Sequence, residues 1–442
     1  MDIPSRAGRA IQTLFGPLVE SAAAASHVIQ RRRVFNAESL ARTFVLGHLR
    51  KPHATDEDLA QTAARCGTPV TTQAVEQRHT PRMIAFLETL FRGAARIVVG
   101  SDKALAPILE RFPSVTVLDS STITLPDGQA ETFPGCGGSH GGGKAALKLQ
   151  TELDLRRGAL TCVEVESGKS ADNATARQHV RREPGSLRIA DLGYFCLAVF
   201  AAMAGAGEHY LSRLQFGLRI SSPDGSDIDL LPWLAARGKT FVDENVLLGR
   251  RDRLTARLLA WRVPEEQANR RRQKLRDAHR RKWNKEPSVA RLAWCDWTIL
   301  VTSVPAAMLT PKEAVALYRA RWQVELLFKR WKSQGRIADL TGSTETRRMV
   351  RLWARLLAVL VQHWLVAATA GGNPKTSWDK AYEAVRPFVE RLLDALGEPD
   401  EIERMLTDLA RVLAKTCRQN RRTRPGTNEL LNDCNRLDYR LT

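Results

Sequence analysis

The sequence has cysteine but no cysteine pairing. Its seven cysteines, at 66, 136, 162, 196, 295, 417 and 434, are scattered, and no two form a Cys-x-x-Cys. That excludes a zinc ribbon and a disulfide framework and fits a reducing cytosol. The N-terminal MDIPSRAGRAIQTLF carries Asp2 and lacks a sustained apolar stretch, so no secretory signal is read there. The most hydrophobic run, LWARLLAVLVQHWLVAATA at 352–370, is long enough to span a bilayer, but Arg355, Gln362 and His363 interrupt it. A buried helix is expected instead. Acid is the scarcer charge: 48 Asp and Glu stand against 67 Lys and Arg, for a formal charge of +19 and a pI near 10.1. This excess points to a polyanionic partner. Nucleic acid ranks ahead of an anionic membrane because the bases are spread along the chain and not gathered on one amphipathic helix.

One further absence removes a tempting motif. GSHGGGK at 138–144 nearly matches the phosphate-binding loop GxxxxGK[ST], but Ala145 stands where the magnesium-binding hydroxyl belongs. The LKLQTELDL that follows alternates as a strand where the motif needs a helix. A flexible glycine connection near the first strand is the better reading.

At 442 residues the chain has room for about two to four domains. Residues 1–95 read as mostly helical. Thr55 to Asp58 offers a helix cap in PHATDEDLAQTAARCG, Gly67 and Pro69 make a turn, and VTTQAVEQR starts a second helix. The pair suggests a helix-turn-helix, with plain helical packing as the alternative. From about 113 the period changes to that of strands. PSVTVLDSSTITLP, KAALKLQTELDLRRG and ALTCVEVESG are read as three strands, the last two joined by a turn at Arg157-Gly158. NATARQHVRR reads as a helix, SLRIADLGYF as a strand with Asp191 near its end, and CLAVFAAMAGAG as an apolar helix. This order predicts an α/β core with a mixed sheet. HYLSRLQFGLRI and ARLAWCDWTILVTS read as strands of an interruption. Between them positions 250–282 hold thirteen Lys or Arg against four Asp or Glu, either a solvated helix or a surface laid against phosphates. Apolar helices follow to about 414, then a basic tail, KTCRQNRRTRPGTNEL, expected to be mobile.

LYRARWQVELLFKRWK at 317–332 is read as one amphipathic helix started by Thr310-Pro311-Lys312-Glu313, which supplies a cap, a first-turn proline and a capping-box glutamate. At roughly 100° per residue Tyr318, Arg321, Glu325 and Lys332 fall within about 60° of one another, beside an apolar arc that includes Leu317, Val324, Leu327, Phe328 and Trp331. Glu325 therefore sits at the seam of core and solvent, where pairing with Arg321 is the simplest role. A second role follows from two more acids, Asp119 on the first strand and Asp191 ending the fourth. Strands one and four are often neighbours in such a topology, and clustered carboxylates are tolerated chiefly around divalent cations, which suits Mg²⁺ and phosphodiester chemistry.

Here the sequence resembles a known family. Tyr318-x2-Arg321-x3-Glu325-x6-Lys332 reproduces the Y-R-E-K signature of insertion-sequence transposases of the IS-four type, in the DDE superfamily. The order Asp in VTVLDSST, Asp in IADLGYF, then Glu in this helix matches as well, and the likeness spans roughly residues 30 to 435. The resemblance implies a ribonuclease-H-like α/β core in which Asp119, Asp191 and Glu325 bind two Mg²⁺ ions, with Mn²⁺ able to substitute. Tyr318, Arg321 and Lys332 would hold phosphates and the distorted strand at the transposon end. Trp297, in CDWTILVTS, matches the position where some relatives stack a tryptophan on a flipped base; an ordinary core aromatic is the alternative. Trp322 would add a second stacking surface. Leu192 departs from the pattern, since many relatives carry a base directly after the second aspartate.

The implied organisation is a helical DNA-binding region at 1–95 and a core split over 96–209 and 304–370. A strand-rich insertion at 210–303 and a C-terminal helical region with the basic tail at 371–442 complete it. The implied activity is cut-and-paste transposition through a hairpin, on double-stranded terminal inverted repeats and target DNA. It would be carried out by a homodimer meeting near 379–414, in the nucleoid-associated cytoplasm. The competing readings are a catalytically inactive, transposase-derived DNA-binding regulator and a ribonuclease-H-like nuclease without strand transfer.

Overall fold

The computed structural model describes residues 3–30, 34–100, 104–137, 143–238, 241–340, 342–370, 375–419 and 426–434. The chain divides into two compact units, each assembled from separated stretches: Met1–Leu105, Asp119–Ser170 and Gln323–Arg421 form the first, and Ala106–Leu118, Ala171–Trp322 and Arg422–Thr442 the second.

The first unit is built around the helix Glu345–Ala370, whose side chains are almost all buried from Met349 to Ala367. This is the apolar run read from the sequence, and its length and composition alone would let it cross a membrane. Helices Ala37–Arg50, Pro81–Ala94 and Pro399–Thr416 pack on it. Capping boxes at Asn36 with Ser39 and at Thr55 with Asp58 start two of the N-terminal helices. The second helix of the expected helix-turn-helix spans only Thr72–Glu76 and turns Val75 inward. Five residues make less than two turns, too short to read along a groove, so plain packing is the better description.

The same unit holds strand β2 (Ala145–Asp154), strand β3 (Ala159–Ser167) and residues 119–125 of strand β1 (Val115–Leu125), in the order β3-β2-β1. β2 and β3 pair antiparallel. Gly158 in their turn has φ +61°, the left-handed conformation that glycine adopts without Cβ strain. β2 confirms a strand directly after Lys144 and removes the phosphate-loop reading; residues 138–142 of the glycine stretch lie outside the described residues.

In the second unit residues 115–118 of β1 pair parallel with β4 (Leu187–Ala190), and β4 pairs parallel with β5 (His209–Arg213). β10 (Trp297–Thr302) then pairs antiparallel with β5, and β9 (Leu254–Arg262), β8 (Phe241–Leu248), β6 (Ile220–Ser221) and β7 (Asp227–Ile228) continue in that order. Behind them the apolar helix Leu197–Gly205 lays Phe200 on Tyr210, stacked at 4.4 Å between centroids. The basic run folds as the helix Glu265–Trp283.

Three local expectations change. NATARQHVRR forms two short 3-10 turns, Asp172–Ala174 and Ala176–His179, in place of a helix. ARLAWCDW is not strand throughout: Val289–Trp294 is a helix capped by Ser288, and the strand begins at Trp297. The tail is not wholly irregular either, since Thr427–Asn432 is helical; residues 420–425 lie outside the described residues. With its mixed sheet and helical flanks, the α/β class read from the sequence holds and is that of a ribonuclease-H-like core.

Candidate active site

Strands β1 and β4 are paired within the second unit. Leu118 on β1 lies opposite Ala190 on β4, and the next residues of the two segments are Asp119 and Asp191. Asp191 follows the end of the parallel strand β4, a place where α/β proteins expose functional side chains, whereas Asp119 lies within β1.

Around Asp191 the second unit gathers two members of the signature. The helix Pro311–Ala320 begins at the Thr310 cap with Glu313 closing the box, as the sequence suggested. Near its end the Tyr318 hydroxyl donates to Asp191 Oδ1 at 3.4 Å. Arg321 brings Nε within 3.7 Å of the same oxygen, and its guanidinium carbon lies 5.9 Å from the Tyr318 ring centroid. Burial, and then the Asp191 charge, push the Tyr318 phenol above its ordinary pKa. Tyr318 therefore stays protonated and acts as a donor.

The first unit holds the other members. Asp119 takes the backbone N–H of Ser120 on Oδ1 at 2.8 Å. Lys332 donates Nζ to the carbonyl of Thr122, on the same strand, at 3.1 Å, and burial lowers its pKa. Glu325 lies on the helix Trp322–Ser333 with Lys332, while Val324, Leu327, Phe328 and Trp331 are buried as the apolar arc predicts. The single helix expected over 317–332 is interrupted at Arg321. Its residues are helical on both sides, but the Arg321 amide bonds back three residues to Tyr318 at 3.2 Å, a tightened turn that starts a new segment at Trp322.

The two tryptophans differ. Trp297 is 7% exposed and belongs to the core cluster with Ile299, Val301 and Phe200. Trp322 is 53% exposed and free to meet a flat ligand. Leu192 begins a 3-10 turn after Asp191 and is exposed. Among the described residues, no group of three or more His, Cys, Asp and Glu side chains is gathered closely enough to hold a metal ion. Sequence reasoning missed Arg111, Asp243 and Arg257, which brace the start of the Tyr318 helix. Their only signal was charge, and Arg257 was lost among the thirteen bases of its run.

The mixed sheet, with β1, β4 and β5 parallel and helices flanking it, defines a ribonuclease-H-like α/β protein. A family model described as the transposase DDE domain matches residues 110–361, more than half of the chain, and the protein belongs to that family. The chain is 25% identical over 357 residues to the transposase for insertion sequence element IS231B of Bacillus thuringiensis subsp. berliner, covering 75% of this chain and 73% of the relative. It is 23% identical over 428 residues to the IS231F transposase of Bacillus thuringiensis subsp. israelensis, covering 89% and 87%. With the IS1151 transposase of Clostridium perfringens the identity is 25% over 318 residues and 66% of each chain. Family membership brings transposase function, DNA as the substrate and divalent-metal chemistry in general.

Proposed function

We propose that the protein is a cut-and-paste DNA transposase that cleaves the ends of its element and joins them to target DNA. The observation that carries this reading is the seat of Tyr318 and Arg321 on Asp191, because it joins the family signature to one of its expected acids. Asp119, Asp191 and Glu325 are the proposed metal-binding acids. Their carboxylates are the hard oxygen donors that Mg²⁺ takes, and Mn²⁺ is expected to substitute. Two bound ions would activate the attacking water and stabilise the leaving oxygen. The chain's own residues do the rest. Tyr318 orients Asp191 while keeping its proton, Arg321 and Lys332 supply positive charge for the phosphates, and Trp322 offers a face on which a base can stack.

The finer steps belong to the same proposal. After nicking, the freed 3′-hydroxyl attacks the opposite strand to give a hairpin, and after resolution it joins the target. Trp297 takes part in base flipping only if its ring leaves the core packing it has here. Domain roles follow the division given above at 95, 209, 303 and 370, with a synaptic homodimer meeting near 379–414 in a nucleoid-associated, cytoplasmic setting. An inactive DNA-binding regulator is the less favoured reading, because a dead copy has no chemical reason to keep Tyr318 and Arg321 on Asp191. A nuclease without strand transfer differs only in its products.

The deciding experiment is cleavage, with Mg²⁺, of duplex DNA carrying the native flanks of this gene, by wild type and by Glu325→Ala. Nicks and hairpins at an inverted repeat, lost in the variant, support the transposase. Binding without cutting by wild type supports the regulator, and nicks without hairpins or joined product support the nuclease.

A further inference from the structure

Two guanidiniums converge on the residues that precede the Tyr318 helix. Arg257, on β9 and only 6% exposed, donates Nη1 to the carbonyl of Leu309 at 2.7 Å. Its Nε and Nη2 go to the two carboxylate oxygens of Asp243 on β8, each at 2.6 Å. Arg111 donates Nη1 to the carbonyl of Met308 at 2.8 Å and forks onto Glu313 at 2.9 and 2.7 Å. Glu313 also closes the cap with Thr310. The carbonyls at 308 and 309 are thus held by two charged donors, each oriented by its own carboxylate.

An arginine forked onto a carboxylate has its plane fixed, so its remaining N–H groups are aimed along set directions. Arg257 is therefore a bracket whose far arm ends on the loop that launches the helix. Tyr318 lies nine residues beyond Leu309, about 13 Å along a rigid helix. At that reach a tilt of about 5° moves the phenol by roughly 1 Å, and an error of that size costs about a hundredfold in rate when it misplaces a reacting group. The 3.4 Å hydrogen bond to Asp191 has little tolerance for such a shift.

We propose that Asp243 and Arg257 are positioning residues for transposase chemistry: through Leu309, the strand pair β8–β9 sets the helix that seats Tyr318 and Arg321 on Asp191. The proposal rests on the role given above to Asp191. Neither residue touches the reacting atoms, and the pair acts through the helix alone.

The test uses the full chain and duplex DNA carrying the native flanks of this gene. Arg257→Lys keeps the charge but cannot fork and reach Leu309 together. It is expected to bind the duplex within about twofold of wild type while slowing single-turnover cleavage about tenfold or more. Because part of the effect runs through Tyr318, adding Arg257→Lys to Tyr318→Phe should slow cleavage by less than the product of the two single losses. Amide hydrogen exchange should rise over 308–321 and stay unchanged in Ala37–Arg50 of the other unit. Wild-type cleavage by Arg257→Lys, a double variant whose losses multiply, or unchanged exchange over 308–321 would each overturn the proposal. If Arg257→Lys does not fold, Asp243→Asn, which removes the fork and spares the guanidinium, is read in the same way. If wild type itself does not cut, the functional reading fails separately, and the exchange comparison still decides whether the bracket holds the helix.

Discussion

The Lys332 ammonium donates to the Thr122 carbonyl at 3.1 Å, binding the helix Trp322–Ser333 to strand β1 within one unit. Glu325 lies seven residues before Lys332, about 10 Å along a helix, and Asp119 lies three before Thr122, about 10 Å along a strand. Lys332→Met removes a charged hydrogen bond and should cost about 2 kcal/mol in a urea unfolding series. It should also slow cleavage more than it weakens DNA binding, and unchanged stability would mean that the contact holds nothing.

Asp119→Ala, Asp191→Ala and Glu325→Ala should each leave end binding within about threefold, since affinity comes mainly from phosphate contacts made elsewhere, and should abolish cleavage. Mg²⁺-dependent cutting retained by any one of them removes that residue from the proposed set.

Trp297 and Trp322 should separate cleanly. Trp297→Ala empties a core position and is expected to cost about 3–5 kcal/mol in chemical denaturation, whereas exposed Trp322→Ala should stay within about 0.5 kcal/mol. If Trp297 also flips a base, hairpin formation in its variant slows more than first-strand nicking. Equal slowing of both steps would leave it a packing residue.

Asp56 starts the helix Asp56–Arg65 and is buried, with His79 Nε2 at 3.1 Å and Arg351 Nη2 at 3.5 Å on Oδ1, and with Arg347 on Oδ2. Burial acts to raise its pKa, but the His79 hydrogen bond and the arginine charges outweigh it and hold the carboxyl below the usual range. Arg347→Met should cost about 3 kcal/mol, because it strands part of a buried charge. Since the folded pKa is depressed, this stabilisation is full above about pH 4 and is lost as pH falls through the folded value. An Arg347→Met protein as stable as wild type would show that the remaining partners suffice.

His48 and His363 give a second acid dependence. Burial first, then the charges of Arg355 and Arg351 for His48 and of Arg330 for His363, lower both to about 3. Their folded values lie below the ordinary one near 6.5, so folding prefers the neutral rings. Stability is full above about pH 6.5 and should fall by up to about 1.4 kcal/mol per unit for each ring as pH drops toward 3. Thermal melts at pH 7 and pH 5 should show a smaller loss in His48→Gln than in wild type; equal losses would mean that this ring does not titrate with unfolding.

Much of this was legible in sequence because it is local. The cap at Thr310, the apolar stripe through Trp331 and the turn at Gly158 follow from spacing and side-chain chemistry over a few residues. That strands β1 and β4 would be neighbours followed from topology; that they pair parallel came from the structure. What escaped depended on long-range burial: nothing near Trp297 says which ring packs inside, and Arg257 resembles its twelve basic neighbours until its carboxylate partner on β8 is known. The helix over 173–182 failed because a favourable helical composition was spent on 3-10 turns between strands.

Between β5 and β10 the chain makes a long excursion, and these two strands are bonded to each other, Leu211 opposite Thr302 and Arg213 opposite Leu300. Departure and return are zipped at the root, so whatever lies between them hangs from a closed stem. The exposed turns of that excursion can be lengthened or trimmed without moving the parallel strands β4 and β5. An engineer has the same port, since a reporter inserted at the exposed β8–β9 turn, at Arg250 and Arg251, would load the stem and leave the register of β4 and β5 untouched.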